Sequence, residues 1–190
     1  MNSAIRILER VRIHYLRAYT EALGRFKEEH SPVAAEILLE LTRKGEGASK
    51  FYRVDMGSNS NGHFNAVEVN SDTHLHFAMH AERSPGGARI TLEPVAWNGV
   101  EISSDAPAEA AFETWALKWL DVGDQFPQDG AGLQGVIHSV SRLHDADCPF
   151  AYSIDFGSSP IEAFRELVSL LDHAGAKMIN IRSTCIDAGP

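Results

Sequence analysis

At Phe51 the spacing of apolar residues changes, and that change constrains the fold more than any other feature of the chain. Before it, Leu8, Val11, Tyr15, Tyr19, Ala22 and Phe26 recur every three or four residues, with Ile5, Leu16 and Leu23 widening the stripe. This is the period of an amphipathic helix, predicted over residues 3–28. A second helix is predicted from Ser31-Pro32, with serine as N-cap and proline at the first helical position. It carries Leu38, Leu39 and Leu41 and stops near Gly45. After Phe51 the period falls to two. "FYRVDM", "FNAVEVN", "THLHFAMHAE", "ARITLEPVAW" and "GVEIS" read as strands, separated by short turns rich in Gly, Asn and Ser. Asn98-Gly99 is expected to close a type I′ hairpin, and the run of short loops predicts an antiparallel meander.

A third helix near Pro107 aligns Phe112, Trp115, Ala116 and Trp119 on one face, a stripe suited to core packing. Beyond the loop "QFPQDGAG" come "GVIHSVSRL", "PFAYSIDFG", a helix from Pro160 to about His173, and "KMINIRS". The expected fold class is therefore α+β: two N-terminal helices, an antiparallel meander sheet, a Trp-rich helix and a C-terminal β-β-α-β unit. One domain over residues 1–190 is expected, with a sub-boundary near 123–134. The segments "YRVDMGS" (52–58) and "YSIDFGS" (152–158) share four identities, each expected to end a strand with Gly-Ser.

Charge narrows the functional classes. The formal net charge is −9. It is unevenly spread: residues 1–50 hold nine basic and seven acidic side chains, and the remaining 140 hold eight and nineteen. A body this acidic repels nucleic acid and anionic membranes and attracts basic partners. No apolar run is long enough to span a bilayer, and Arg6, Glu9, Arg10 and Arg12 interrupt any signal-type segment. Cys148 and Cys185 have no metal-finger spacing, so a cytoplasmic protein with reduced thiols is expected.

Asp155-Phe156-Gly157 has the form of a kinase magnesium-binding triplet, but the chain has no G-x-G-x-x-G loop and no His-Arg-Asp segment. The triplet reads instead as a strand end. Behind it, Ser159-Pro160-Ile161-Glu162 is expected to form a capping box. Strand alternation in "THLHFAMHAE" turns Leu75, Phe77 and Met79 inward and His74, His76, His80 and Glu82 outward. Across a loop at 70–72, Glu68 would join His74 and His76 in a two-histidine, one-carboxylate set able to hold a divalent metal such as zinc. Cys148, beside His144, Asp145 and Asp147, reads as a small buried apolar residue, because acidic flanks raise a thiol pKa.

No motif here marks membership of a known family. The expected function is a small, acidic, cytoplasmic, non-catalytic binding protein of the inhibitor or immunity type, with a basic protein partner and no cofactor. The alternative is a metal-dependent hydrolase built on Glu68, His74 and His76.

Overall fold

The computed structural model describes residues 2–41, 47–60, 62–69, 75–143 and 148–183. Helix α1 (Asn2–Glu29) follows the predicted stripe, since Ala4, Leu8, Val11, Tyr15, Tyr19, Leu23 and Phe26 are all buried. Its first turn is capped from a distance: Glu82 accepts the N–H groups of Ser3 and Ala4 at 3.3 and 3.2 Å, placing a carboxylate on the positive end of the helix.

The predicted second helix is instead strand β1 (Val33–Glu40), which pairs antiparallel with β2 (Phe51–Ser60) from Val33↔Ser58 to Glu40↔Phe51. The Ala- and Leu-rich segment has helix propensity, but backbone pairing along the ten-residue β2 outweighs it. Strand β3 (His63–Val67) folds back on β2. Next come β4 (His80–Arg83), β5 (Arg89–Leu92), β6 (Val100–Ser104), helix α2 (Glu109–Trp119), β7 (Ser139–Arg142), β8 (Phe150–Asp155), helix α3 (Ile161–His173) and β9 (Met178–Arg182).

The class is α+β, with three helices and one mixed sheet of nine strands among the described residues. The strand order is β1-β2-β7-β8-β6-β9-β5-β4, with β3 also on β2. Every pair is antiparallel except β5 and β9, which run parallel. The C-terminal β-β-α-β unit forms as expected. The simple meander does not: β6 inserts between β8 and β9, so β5 and β6 never pair with each other. Asn98-Gly99 is accordingly no hairpin. Neither residue has a positive φ, and Gly99 N–H bonds to Ala96 O at 3.1 Å as the chain bends toward β6.

Alternation separates the two faces of the sheet. Ile179 and Ile181 are buried while Met178, Asn180 and Arg182 are exposed, and Ile90 and Leu92 continue the buried row. The aromatic face of α2 is buried as the sequence predicts and meets β8, with Phe112 set 5.2 Å from Phe150 and 4.0 Å from Tyr152 between ring centroids. Trp115 Nε1 donates to Ala163 O at 3.0 Å and ties α2 to α3. Phe112 is the centre of this packing, and truncating it leaves a void among rings that cannot collapse. Phe112→Ala is expected to cost about 3–5 kcal/mol, read as a lowered urea midpoint with an unchanged denaturant slope.

Candidate functional site

The most concentrated polar chemistry in the molecule lies inside it. His138, just before β7, is fully buried, and Glu36 and Asp55 are 1% and 2% exposed. Ala35 faces Met56 and Ile37 faces Val54, so Glu36 and Asp55 occupy opposite positions on β1 and β2. Glu36 takes a left-handed backbone, φ 51°, and interrupts the ladder at that one position. Between these acids sits the imidazole. Its Nε2 is 2.9 Å from Glu36 Oε1, and its Nδ1 makes a close charged contact of 2.7 Å with Asp55 Oδ1.

Each partner is fixed in turn. Glu36 also accepts the Ser158 hydroxyl and the Gln134 N–H, and Asp55 Oδ2 accepts the Val69 N–H. The Tyr19 ring stands edge-on to the imidazole at 6.0 Å, and its hydroxyl donates to Asp55 O at 2.5 Å. His138 N–H donates to Asp155 O, and its carbonyl accepts Arg53 N–H, both at 2.8 Å, locking the residue between β8 and β2. Gly157 completes the wall with φ 47°, where a Cβ would overlap the imidazole ring.

Beside this group the Arg53 guanidinium, also fully buried, donates to the carbonyls of Leu120, Glu36 and Asp121 at 2.8, 2.6 and 2.9 Å, and to Gln134 Oε1 at 2.6 Å. A cation thus closes the C-terminal end of α2.

Electrostatics follow from this packing. Burial opposes charge on His138, but the contacts with Asp55 and Glu36 outweigh it and push the pKa up to about 10. The ring is therefore an imidazolium at neutral pH. Asp155, half-buried at the end of β8, is raised from 3.8 to about 7, mainly by burial, with the His138 charge opposing and Asp55 reinforcing the shift. Burial also raises the Tyr15 and Tyr19 phenols, helped by the surrounding carboxylates, so both hydroxyls stay neutral.

Serine, histidine and two acids together invite comparison with a hydrolase, but the connectivity is wrong. Glu36 lies between Ser158 and His138, so the imidazole cannot take the serine proton. Ser158 Oγ is further occupied by the N–H groups of Gly135 and Val136 at 2.9 and 3.3 Å. Ser158 forms part of the floor of a surface cleft of about 350 Å³, walled by Arg12, Leu16, Trp119, Phe126 and Leu133, yet it is only 4% exposed. Ser158, Glu36, His138 and Asp55 are all withdrawn from solvent; His138 Nε2 bonds to Glu36, while Nδ1 meets Asp55 Oδ1 as a charged contact without hydrogen-bond alignment.

The metal set expected from sequence lies elsewhere. Glu68 is exposed and hydrogen-bonded to the Tyr52 phenol, while burial raises its carboxyl pKa. His76 is exposed, and His74 lies outside the described residues. Of the expected strand over 73–82, residues 73 and 74 lie outside the described residues, and the part from 75 forms strand only from His80, in β4, since residues 75–79 pair with no neighbour among the described residues. Leu75 and Phe77 pack against the core as expected, but Met79 is 64% exposed. Among the described residues, no group of three or more His, Cys, Asp or Glu side chains is arranged to hold a metal ion.

The kinase-like triplet is a strand end as read. The capping box does not form: Pro160 is the N-cap of α3 without a side-chain bond, and the Ser159 hydroxyl is buried with no hydrogen-bond partner among the described residues. Of the two similar heptads, one brings the Asp55 side chain to the His138 ring and the other only the Asp155 carbonyl to its N–H; Gly57 is mid-strand and Gly157 sits in a left-handed turn, so their backbones differ.

Sequence reasoning missed Glu36, Asp55, His138 and Ser158, which come from four separate segments. A signal was present in "YRVDM" and "GVIHSV", where charged or imidazole side chains interrupt apolar strands. Polar groups in such positions are buried and must find partners. Compared with family models, curated proteins and solved structures, the chain has no significant match.

Two outcomes are expected. His138 has a folded pKa above its unfolded value of 6.5, so its stabilisation is complete below pH 6.5 and is lost as pH rises through 10. Urea unfolding across that window should show stability falling with pH, and His138→Gln should abolish this slope. Gly157→Ala forces both a strained φ and a clash with the ring, and should lose about 3 kcal/mol or more in the same measurement.

Proposed function

We propose that the chain is a non-catalytic binding protein of the inhibitor or immunity type, acting on a protein partner with a basic surface. One observation carries the reading: the chemistry-bearing cluster around His138 is closed to solvent, with Glu36 set between the serine and the imidazole, so its role is to hold the fold and not to meet a substrate. A net charge of −9, with nineteen acids against eight bases after residue 50, supplies the attraction for a basic partner. No helix among the described residues is long and apolar enough to cross a membrane, which is compatible with a partner met in solution.

Photo-cross-linking in the native host, followed by reconstitution with the purified partner, tests the proposal. A defined stoichiometric complex is expected, with an association rate that falls steeply as salt rises. An association rate indifferent to salt overturns it. So does turnover of any hydrolysable substrate by the purified protein that is lost in Glu68→Gln or His76→Ala; these are exposed positions whose substitution leaves the core intact.

A further inference from the structure

Three strands of the sheet have a free edge among the described residues, and two of them are protected. Strand β1 is preceded by Pro32, interrupted by Glu36 at φ 51° and ended by Glu40. Strand β4 carries Glu82 and Arg83, and its Glu82 is engaged by the first turn of α1. Charges, prolines and local distortion are the devices that keep strand edges from pairing with other chains. Strand β3 has none of them. Its sequence, His63-Phe64-Asn65-Ala66-Val67, contains no lysine, arginine, acid or proline, and no residue in it has a positive φ. All five residues are exposed, Phe64 by 51% and Val67 by 39%.

From this edge we infer that β3 pairs antiparallel with β3 of a second copy of the chain, about a two-fold axis at Asn65. The register fixes the geometry. Ser60 faces His63 at the turn, the hydrogen-bonded position that closes a two-residue hairpin. Alternation along the ladder then directs the N–H and C=O groups of Phe64 and Ala66 away from β2. These two outward residues flank Asn65 symmetrically. In the two-fold pair Phe64 faces Ala66 of the second copy in hydrogen-bonded positions, and Asn65 faces its own symmetry mate in the closer, non-hydrogen-bonded position.

Side chains fit the same arrangement. Phe64 lies over Gly57 of its own chain, and Ala66, the residue that faces Phe64 of the second copy, is small and exposed. The chain carries a net charge of −9, but β3 itself holds no charged side chain, so the five paired residues set no acid directly against another. Glu68 lands opposite Gly62 of the second copy, and the two Glu68 residues sit at opposite ends of the paired strands.

Cysteine cross-linking reads this register directly. In a Cys148→Ala/Cys185→Ala background, Asn65→Cys should oxidise to a disulfide dimer, because directly opposed residues of that kind have Cα atoms about 4.5 Å apart. His63→Cys alone should not link to itself, being offset by four residues, or ~14 Å. A mixture of His63→Cys and Val67→Cys proteins should form the mixed dimer. Adding Ala66→Pro to Asn65→Cys should suppress the link, with thermal unfolding confirming that the fold persists. Absence of the Asn65→Cys dimer, or equal linking at positions 63 and 65, overturns the inference. Loss of binding to a separate protein partner in Ala66→Pro, with no dimer at any position, assigns the edge to that partner's strand and overturns it too. Because the proposed function concerns a basic partner and salt-dependent association, either proposal can fail without the other.

Discussion

A single charged ring, His138, sets the conditions that the rest of the molecule meets. An imidazolium with no solvent contact is costly unless both nitrogens face anionic oxygen, and Glu36 and Asp55 supply it from opposite positions on neighbouring strands. Each carboxylate reaches only one ring nitrogen. The pair reaches both only when β1 and β2 are in the observed register, since a slip of one residue would turn one carboxylate to the other side of the sheet. The cluster therefore ties the pairing of a buried charge to strand alignment.

The same requirement reaches beyond those strands. Ser158 and Gln134 bring the segments on either side of β7 and β8 to Glu36, and Gly157 must lack a side chain so that the ring can lie against it. Arg53 repeats the strategy one step away, its buried guanidinium donating to the carbonyls of Leu120, the C-cap of α2, and of Asp121 beyond it. Helix α1 joins through Tyr19 and through Arg12, whose Nε donates to Ser159 O at 2.6 Å. Polar contacts thus choose one arrangement of elements, while burial of the rows containing Ile90, Ile179 and Phe112 provides the bulk of the driving force.

Local pattern made much of the architecture legible in advance. The α1 stripe, the aromatic face of α2 and the C-terminal β-β-α-β unit all follow from apolar periodicity, because each buries one face against a neighbour. Reading failed where partners decide the outcome. "VAAEILLE" is a good helix on propensity and becomes a strand because β2 pairs with seven of its eight residues. Asn98-Gly99 has the composition of a hairpin turn, but the strands it joins are separated by β9. The cluster was harder still. Glu36 and His138 are 102 positions apart, and nothing in a single sequence states that they meet. What the sequence did contain was the anomaly of Arg53, Asp55 and His138 within apolar strands, a mark of buried polar structure whose partners only the fold reveals.

The charge on His138 is measured most directly by ¹⁵N NMR of the histidine side chains at about pH 8, above the ordinary histidine range. The buried imidazolium requires protons on both Nδ1 and Nε2 of this residue, each visible as a one-bond N–H coupling in slow exchange with water. A His138 ring carrying a proton on only one nitrogen at that pH would contradict the account, because Glu36 and Asp55 would then face each other across β1 and β2 without the cation that binds them.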